Sequence, residues 1–109
     1  MNPTKKTTKY RSVPTLIDDI RFDSKAEARF YGLLKLRIRA GEITGFDRQV
    51  PFPLIVNGHL VCHYKADFVL YKPDGSQEII DVKGVQTPEF RLKRKLLKAC
   101  YGHEIIIVN

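Results

Sequence analysis

Two strand-like segments joined by one tight turn constrain this chain more than any other feature. Tyr64-Lys65-Ala66-Asp67-Phe68-Val69-Leu70-Tyr71 and Glu78-Ile79-Ile80-Asp81-Val82-Lys83-Gly84 are rich in β-branched and aromatic residues, the composition of strands. Between them lies Lys72-Pro73-Asp74-Gly75-Ser76, a Pro-Asp-Gly turn in which Gly75 can take positive φ. If Lys72 pairs with Ser76, antiparallel partners have numbers summing to 148, and Asp67 falls opposite Asp81. Cross-strand Cβ atoms lie roughly 5 Å apart, so two carboxylates so placed repel each other. A cation or a shared proton between them resolves the conflict, which makes a divalent metal site one reading. A bulge is the other: it would break the register and leave both acids on a solvated face. Strand alternation also puts Asp81 and Lys83 on one face, with Ile80 and Val82 on the opposite one.

A third acid, Glu27, belongs to Ser24-Lys25-Ala26-Glu27, a capping box that opens a helix. Capping alone explains a glutamate there. Yet at about 100° per residue, Tyr31, Leu34 and Ile38 project within about 40° of Glu27. Glu27 therefore heads the apolar stripe, where a carboxylate is costly unless paired, hydrogen-bonded or bound to metal.

Periodicity and turn residues order the remaining elements. Thr15-Leu16-Ile17 and Ile20-Arg21-Phe22 form a small hairpin across Asp18-Asp19, and the Ser24-capped helix runs to about Ala40 before Gly41. Phe46–Val56 holds Pro51 and Pro53, which suits an irregular or edge strand. Asn57-Gly58 turns it tightly into His59–Tyr71, and Gln77–Lys83 follows. Thr87-Pro88 starts a second helix as cap and first position, Gly102 closes it, and Glu104–Val108 is a final strand. The expected fold is α/β, with an αβββαβ core and a mixed four-stranded sheet flanked by helices. In the second helix, Leu92, Leu96, Ala99 and Cys100 make an apolar stripe, whereas Arg91, Arg94, Lys95 and Lys98 make a basic one. Lys93 sits nearer the apolar side, within reach of the site.

A chain of 109 residues has room for one domain, expected at 13–109 behind a basic arm at 1–12 that is expected to lack order. The net charge of +7 favours a polyanion as partner. No apolar run nears the ~18 residues of a membrane span, and the start lacks a signal-peptide core, so a soluble cytoplasmic protein with no membrane partner is expected. Cys62, His63, Cys100 and His103 are a poor zinc set. Adjacent strand residues face opposite ways, and buried thiols are the simpler expectation for the two cysteines.

Glu27 on a helix, then Asp67, then Asp81-Val82-Lys83 resemble the PD-(D/E)XK nuclease superfamily, although Ala66 stands where that superfamily usually has proline. Phe22-Asp23-Ser24-Lys25-Ala26-Glu27-Ala28, Tyr64-Lys65-Ala66-Asp67-Phe68, Asp81-Val82-Lys83-Gly84 and Arg91-Leu92-Lys93-Arg94-Lys95-Leu96 are similar to a small, single-domain, phage-type family of unassigned function within it. The resemblance covers about residues 10–109. It implies a restriction-endonuclease-like fold and a Mg²⁺-dependent endodeoxyribonuclease, with Mn²⁺ as substitute. Glu27, Asp67 and Asp81 would hold the metal with the Val82 carbonyl, and Lys83 would complete the catalytic set. Lys65, Arg91, Lys93, Arg94, Lys95 and Lys98 are the expected DNA contacts. Branched or recombination intermediates would suit a small enzyme, and a homodimer would supply two cuts. A phage-encoded copy would work in the host cytoplasm. A catalytically inactive nucleic-acid-binding module of the same fold is the alternative.

Overall fold

The computed structural model describes residues 15–109, so the expected arm at 1–12 and the start of the domain at 13 lie outside the described residues. Eight elements follow: β1 (Thr15–Ile17), β2 (Ile20–Phe22), α1 (Lys25–Arg39), β3 (Gly45–Val56), β4 (His59–Tyr71), β5 (Gln77–Val82), α2 (Pro88–Tyr101) and β6 (Ile105–Val108). The main sheet has the order β3-β4-β5-β6, antiparallel except for the parallel β5–β6 pair that α2 connects. β1 and β2 form a separate two-stranded ribbon. The architecture is the expected α/β core.

Local chemistry sets the boundaries. Ser24 Oγ accepts the Glu27 N–H at 3.1 Å, and Thr87 Oγ1 accepts the Phe90 N–H at 3.1 Å, so both helices have side-chain N-caps. Gly102, at φ 75°, closes α2 in the left-handed region. The Asn57-Gly58 turn places both residues at positive φ, as a two-residue hairpin needs. In the β4–β5 hairpin, Lys72 donates to Ser76, and Phe68↔Ile80 through Tyr71↔Gln77 pair in the register that sums to 148.

Each helix covers one face of the sheet. Ala28, Tyr31 and Leu34 of α1 pack with Phe22, Ile43, Phe68, Leu70 and Ile80. Phe90 and Leu97 of α2 pack with Leu54, Tyr64, Ala66, Val69, Ile79 and Ile105. Two strands change faces between these layers. Phe46 and Arg48 of β3 lie on the α1 side, but Val50, Phe52 and Leu54 lie on the α2 side. In β4, Tyr64 and Ala66 face α2, whereas Phe68 and Leu70 face α1. A regular strand keeps residues two apart on one face, so the changeovers fall at Gln49 and Asp67. Gln49 adopts φ 53°, and it is the one position skipped between the Arg48↔Phe68 and Val50↔Ala66 pairs. A non-glycine residue held in that region costs of order 1–3 kcal/mol.

Several expectations need correction. The buried seam of α2 is Phe90 and Leu97, seven residues apart, while Leu92 is 59% exposed and Ala99 is exposed. The helix crosses the sheet along that narrow line, which leaves Leu92 on the outer side. On α1, Ile38 is 38% exposed because only the first turns, through Leu34, contribute to the core. Cys62 and Cys100 are half-buried, and Cys100 Sγ approaches the Ile55 carbonyl at 3.2 Å. β5 stops at Val82, with the Lys83 N–H donating to the Val108 carbonyl, and β6 begins at Ile105.

Candidate metal and phosphate site

The site forms where the β4–β5 ladder ends. Backbone pairing stops at Phe68↔Ile80, one step short of Asp67 and Asp81, and the Val82 N–H donates to Asp67 Oδ2 at 2.9 Å. The expected opposition of the two acids thus occurs at the fork of the hairpin. Asp81 is 2% exposed; its Oδ2 accepts the Tyr64 hydroxyl at 2.5 Å, and its Oδ1 lies 3.3 Å from Lys83 Nζ. Lys83 rests over the Phe90 ring, 4.6 Å from its centroid. Period-two alternation therefore brought Asp81 and Lys83 together as expected.

The electrostatics follow from burial. Desolvation, then a hydrogen bond and like charge from Asp81, pushes the Asp67 carboxyl up to about 7, against the opposing help of the Val82 N–H. Desolvation also raises Glu27, with Asp23 and Asp81 adding like charge and Arg48 and Gln49 opposing them. Burial and the bond to Asp81 push Tyr64 upward, so it remains a neutral donor.

Glu27 is buried at the first turn of α1, and only half of the capping box operates. Its carboxylate turns to β3 instead: Oε2 accepts Gln49 Nε2 at 3.1 Å and lies 3.9 Å from Arg48 Nη2. The Arg48 guanidinium sits 4.5 Å from the Phe22 ring centroid, and its buried Nε has no hydrogen-bond partner.

Two clefts flank the fork. One of about 250 Å³, on the α2 side, is lined by Lys65, Lys83 and Lys93 together with Tyr64, Asp67, Asp81, Thr87, Glu89 and Phe90. The other, about 450 Å³ on the α1 side, is lined by Asp23, Glu27, Asp67, Val82 and Lys83, among others. Asp67 and Lys83 belong to both. The α2-side cleft sets three lysines, Lys65, Lys83 and Lys93, against three carboxylates, whereas the α1-side cleft has three carboxylates with Lys83 alone. Lys93 faces the first cleft, as expected, and pairs with Glu89 at 3.1 Å.

Arg91, Arg94, Lys95 and Lys98 do share one surface, a separate groove of about 430 Å³ with Gln86 and Glu104. Lys98 pairs with Glu104 at 2.5 Å, and Arg94 Nη2 reaches the Ile105 carbonyl at 3.4 Å. An acid from outside the helix thus moderates a stripe that has none of its own.

Among the described residues, no three His, Cys, Asp or Glu side chains converge closely enough to enclose an ion. The donor chemistry nevertheless fits a hard divalent cation. Half-buried Asp67 lies beside buried Asp81 at the cost of a raised pKa at Asp67, and a third carboxylate, Glu27, lines the α1-side cleft. Their oxygens are meanwhile occupied by Lys83, Tyr64, Gln49 and the Val82 N–H.

Tyr64, Phe90, Arg48 and Gln49 escaped the sequence reading. Tyr64 is three residues from Asp67, a spacing that strand alternation assigns to opposite faces. Only the changeover at Asp67 permits both to meet Asp81. Gln49 carries no composition signal for positive φ.

The chain is thus a two-layered-over-sheet α/β domain with its polar site at a strand fork. It matches the family described as "Protein of unknown function (DUF1064)" over residues 7–107 and belongs to that family. No curated protein and no solved structure matches it significantly. None of the described helices is long and apolar enough to cross a membrane.

Proposed function

We propose that this chain is a metal-dependent DNA endonuclease of the PD-(D/E)XK type. The observation that carries the reading is buried Asp81 with half-buried Asp67 beside it and Lys83 Nζ at 3.3 Å from Asp81. Asp67, Asp81 and the Val82 carbonyl would hold Mg²⁺ or Mn²⁺, with Glu27 flanking them. Bound there, the cation supplies positive charge against a phosphodiester and lowers the pKa of a water. Lys83 lies over Phe90 and lines both clefts; its ammonium would orient that water or offset developing negative charge. Lys65 and Lys93 line the α2-side cleft and suit the phosphates on either side of the cut. Tyr64 fixes the Asp81 carboxylate through its second oxygen. The groove of Arg91, Arg94, Lys95 and Lys98 would hold duplex backbone at a distance from the chemistry. Action in the cytoplasm, on branched or recombination intermediates and as a homodimer, completes the proposal.

One observation favours a second reading: the carboxylates do not enclose an ion as they stand. A nucleic-acid-binding module without catalysis would need only the basic groove. Incubation with linear, nicked and branched DNA in Mg²⁺, Mn²⁺ or EDTA separates the two. Cation-dependent scission that EDTA abolishes supports the nuclease; tight binding without scission under every cation supports the module.

A further inference from the structure

We infer that Gln49 is a positioning residue for Glu27 and for the Asp67–Asp81 pair, a role that rests on the nuclease reading but adds a residue outside its motif. Three observations converge on it. Its amide is a hydrogen-bond donor to Glu27, Nε2 to Oε2 at 3.1 Å, joining β3 to the first turn of α1. Its backbone, at φ 53°, lies in the left-handed region that side chains other than glycine and asparagine rarely occupy. It falls opposite Asp67, since Arg48 pairs with Phe68 and Val50 with Ala66.

These features act together. The left-handed residue interrupts the β3–β4 ladder where both strands change faces. That changeover delivers Asp67 to the boundary between the two layers, so that it lines both clefts. Alternation from Ala66 assigns Asp67 to the α1 side and alternation from Phe68 assigns it to the α2 side, whereas a regular strand would commit it to one side only. The same backbone turn directs the Gln49 amide at Glu27. Holding one carboxylate oxygen fixes the Glu27 rotamer and leaves Oε1 with no donor among the described residues, available for a cation. Outer partners that orient ligating carboxylates commonly change metal affinity by about 10–100-fold when removed.

Glycine and asparagine discriminate this role from a merely tolerated strain. Both accept positive φ readily, and neither can reach Glu27: glycine has no amide, and asparagine is one methylene short. Gln49→Gly and Gln49→Asn should therefore melt at the wild-type temperature or above. Calorimetric affinity for Mn²⁺ should nonetheless fall about 10-fold or more, and cleavage should fall with it. In the metal-free protein, Glu27 side-chain couplings measured by NMR should change from one locked rotamer to an average. Variants that keep the locked rotamer and wild-type Mn²⁺ affinity would overturn the inference. A wild-type chain that neither takes up Mn²⁺ nor cuts DNA would sink the nuclease reading instead. The metal-free rotamer measurement would still decide whether Gln49 positions Glu27.

Discussion

Asp81 shows how little a single side chain decides alone. It is almost wholly buried, yet it meets a tyrosine hydroxyl on one oxygen and a lysine ammonium near the other, with Asp67 beside it. Asp81→Asn keeps the shape, still accepts the Tyr64 hydroxyl, and removes one of two adjacent negative charges. The folded protein should melt within a few degrees of wild type and bind DNA as before. Cleavage should drop by about 10²–10³ or more, the scale of losing one group that offsets transition-state charge. Full cleavage in a gel assay with purified Asp81→Asn would refute the mechanism. Lys83 would be left without its carboxylate, but it is partly exposed and can turn to solvent.

At the scale of elements, α2 serves both the core and the surface. Its N-cap, Thr87, satisfies the Phe90 N–H, and Phe90 in turn supports Lys83 and packs against Tyr64 with ring centroids 6.3 Å apart. Thr87→Ala should cost about 1 kcal/mol, lowering the melting temperature by roughly 4–8 °C for a domain of this size. Thermal unfolding followed by circular dichroism checks this, and an unchanged midpoint would mean the cap is replaced by water. The outer face of the same helix carries the groove residues. Arg91 and Lys95 are exposed, whereas Arg94 and Lys98 are engaged with Ile105 and Glu104. Arg91→Ala with Lys95→Ala should therefore weaken binding to all duplex sequences alike, and the slope of log affinity against log salt should fall by up to about 0.9 per contact. The cleavage rate at saturating DNA should change far less. An unaltered slope would show that the groove is only a solvated face.

For the whole molecule, the buried acids couple folding to pH. Asp67 titrates near 7 when folded, against an ordinary value of 3.8. Between those values the folded state binds more protons than the unfolded one, so stability is full below about 3.8 and falls as pH rises toward about 7. Glu27 is raised too and contributes in the same direction. The metal-free protein should thus lose melting temperature across this window relative to Asp67→Asn, in which the difference largely vanishes. Adding Mg²⁺ above pH 7 should restore the loss by mass action, as any ligand of the folded state does. Parallel melting curves for the two proteins from pH 4 to 8 in EDTA would contradict this account of the pair.

Local chemistry alone determined much of this protein. Ser24, Thr87 and Gly102 cap helices through interactions confined to a few neighbours, and Asn57-Gly58 and Pro73-Asp74-Gly75 set their hairpins. The register that brings Asp67 to Asp81 follows from one turn and simple counting, and the pairing of Asp81 with Lys83 follows from strand alternation. Residues whose place depends on other elements were not legible in the same way. Leu92 looks like core by periodicity, but the line on which α2 crosses the sheet buries Phe90 and Leu97. Tyr64, Arg48 and Gln49 enter the site only because β3 and β4 change faces at Gln49 and Asp67. A left-handed glutamine is disfavoured by every local rule. It persists because two packed layers and a buried carboxylate over-determine its conformation, and such constraints exist only once the chain has folded.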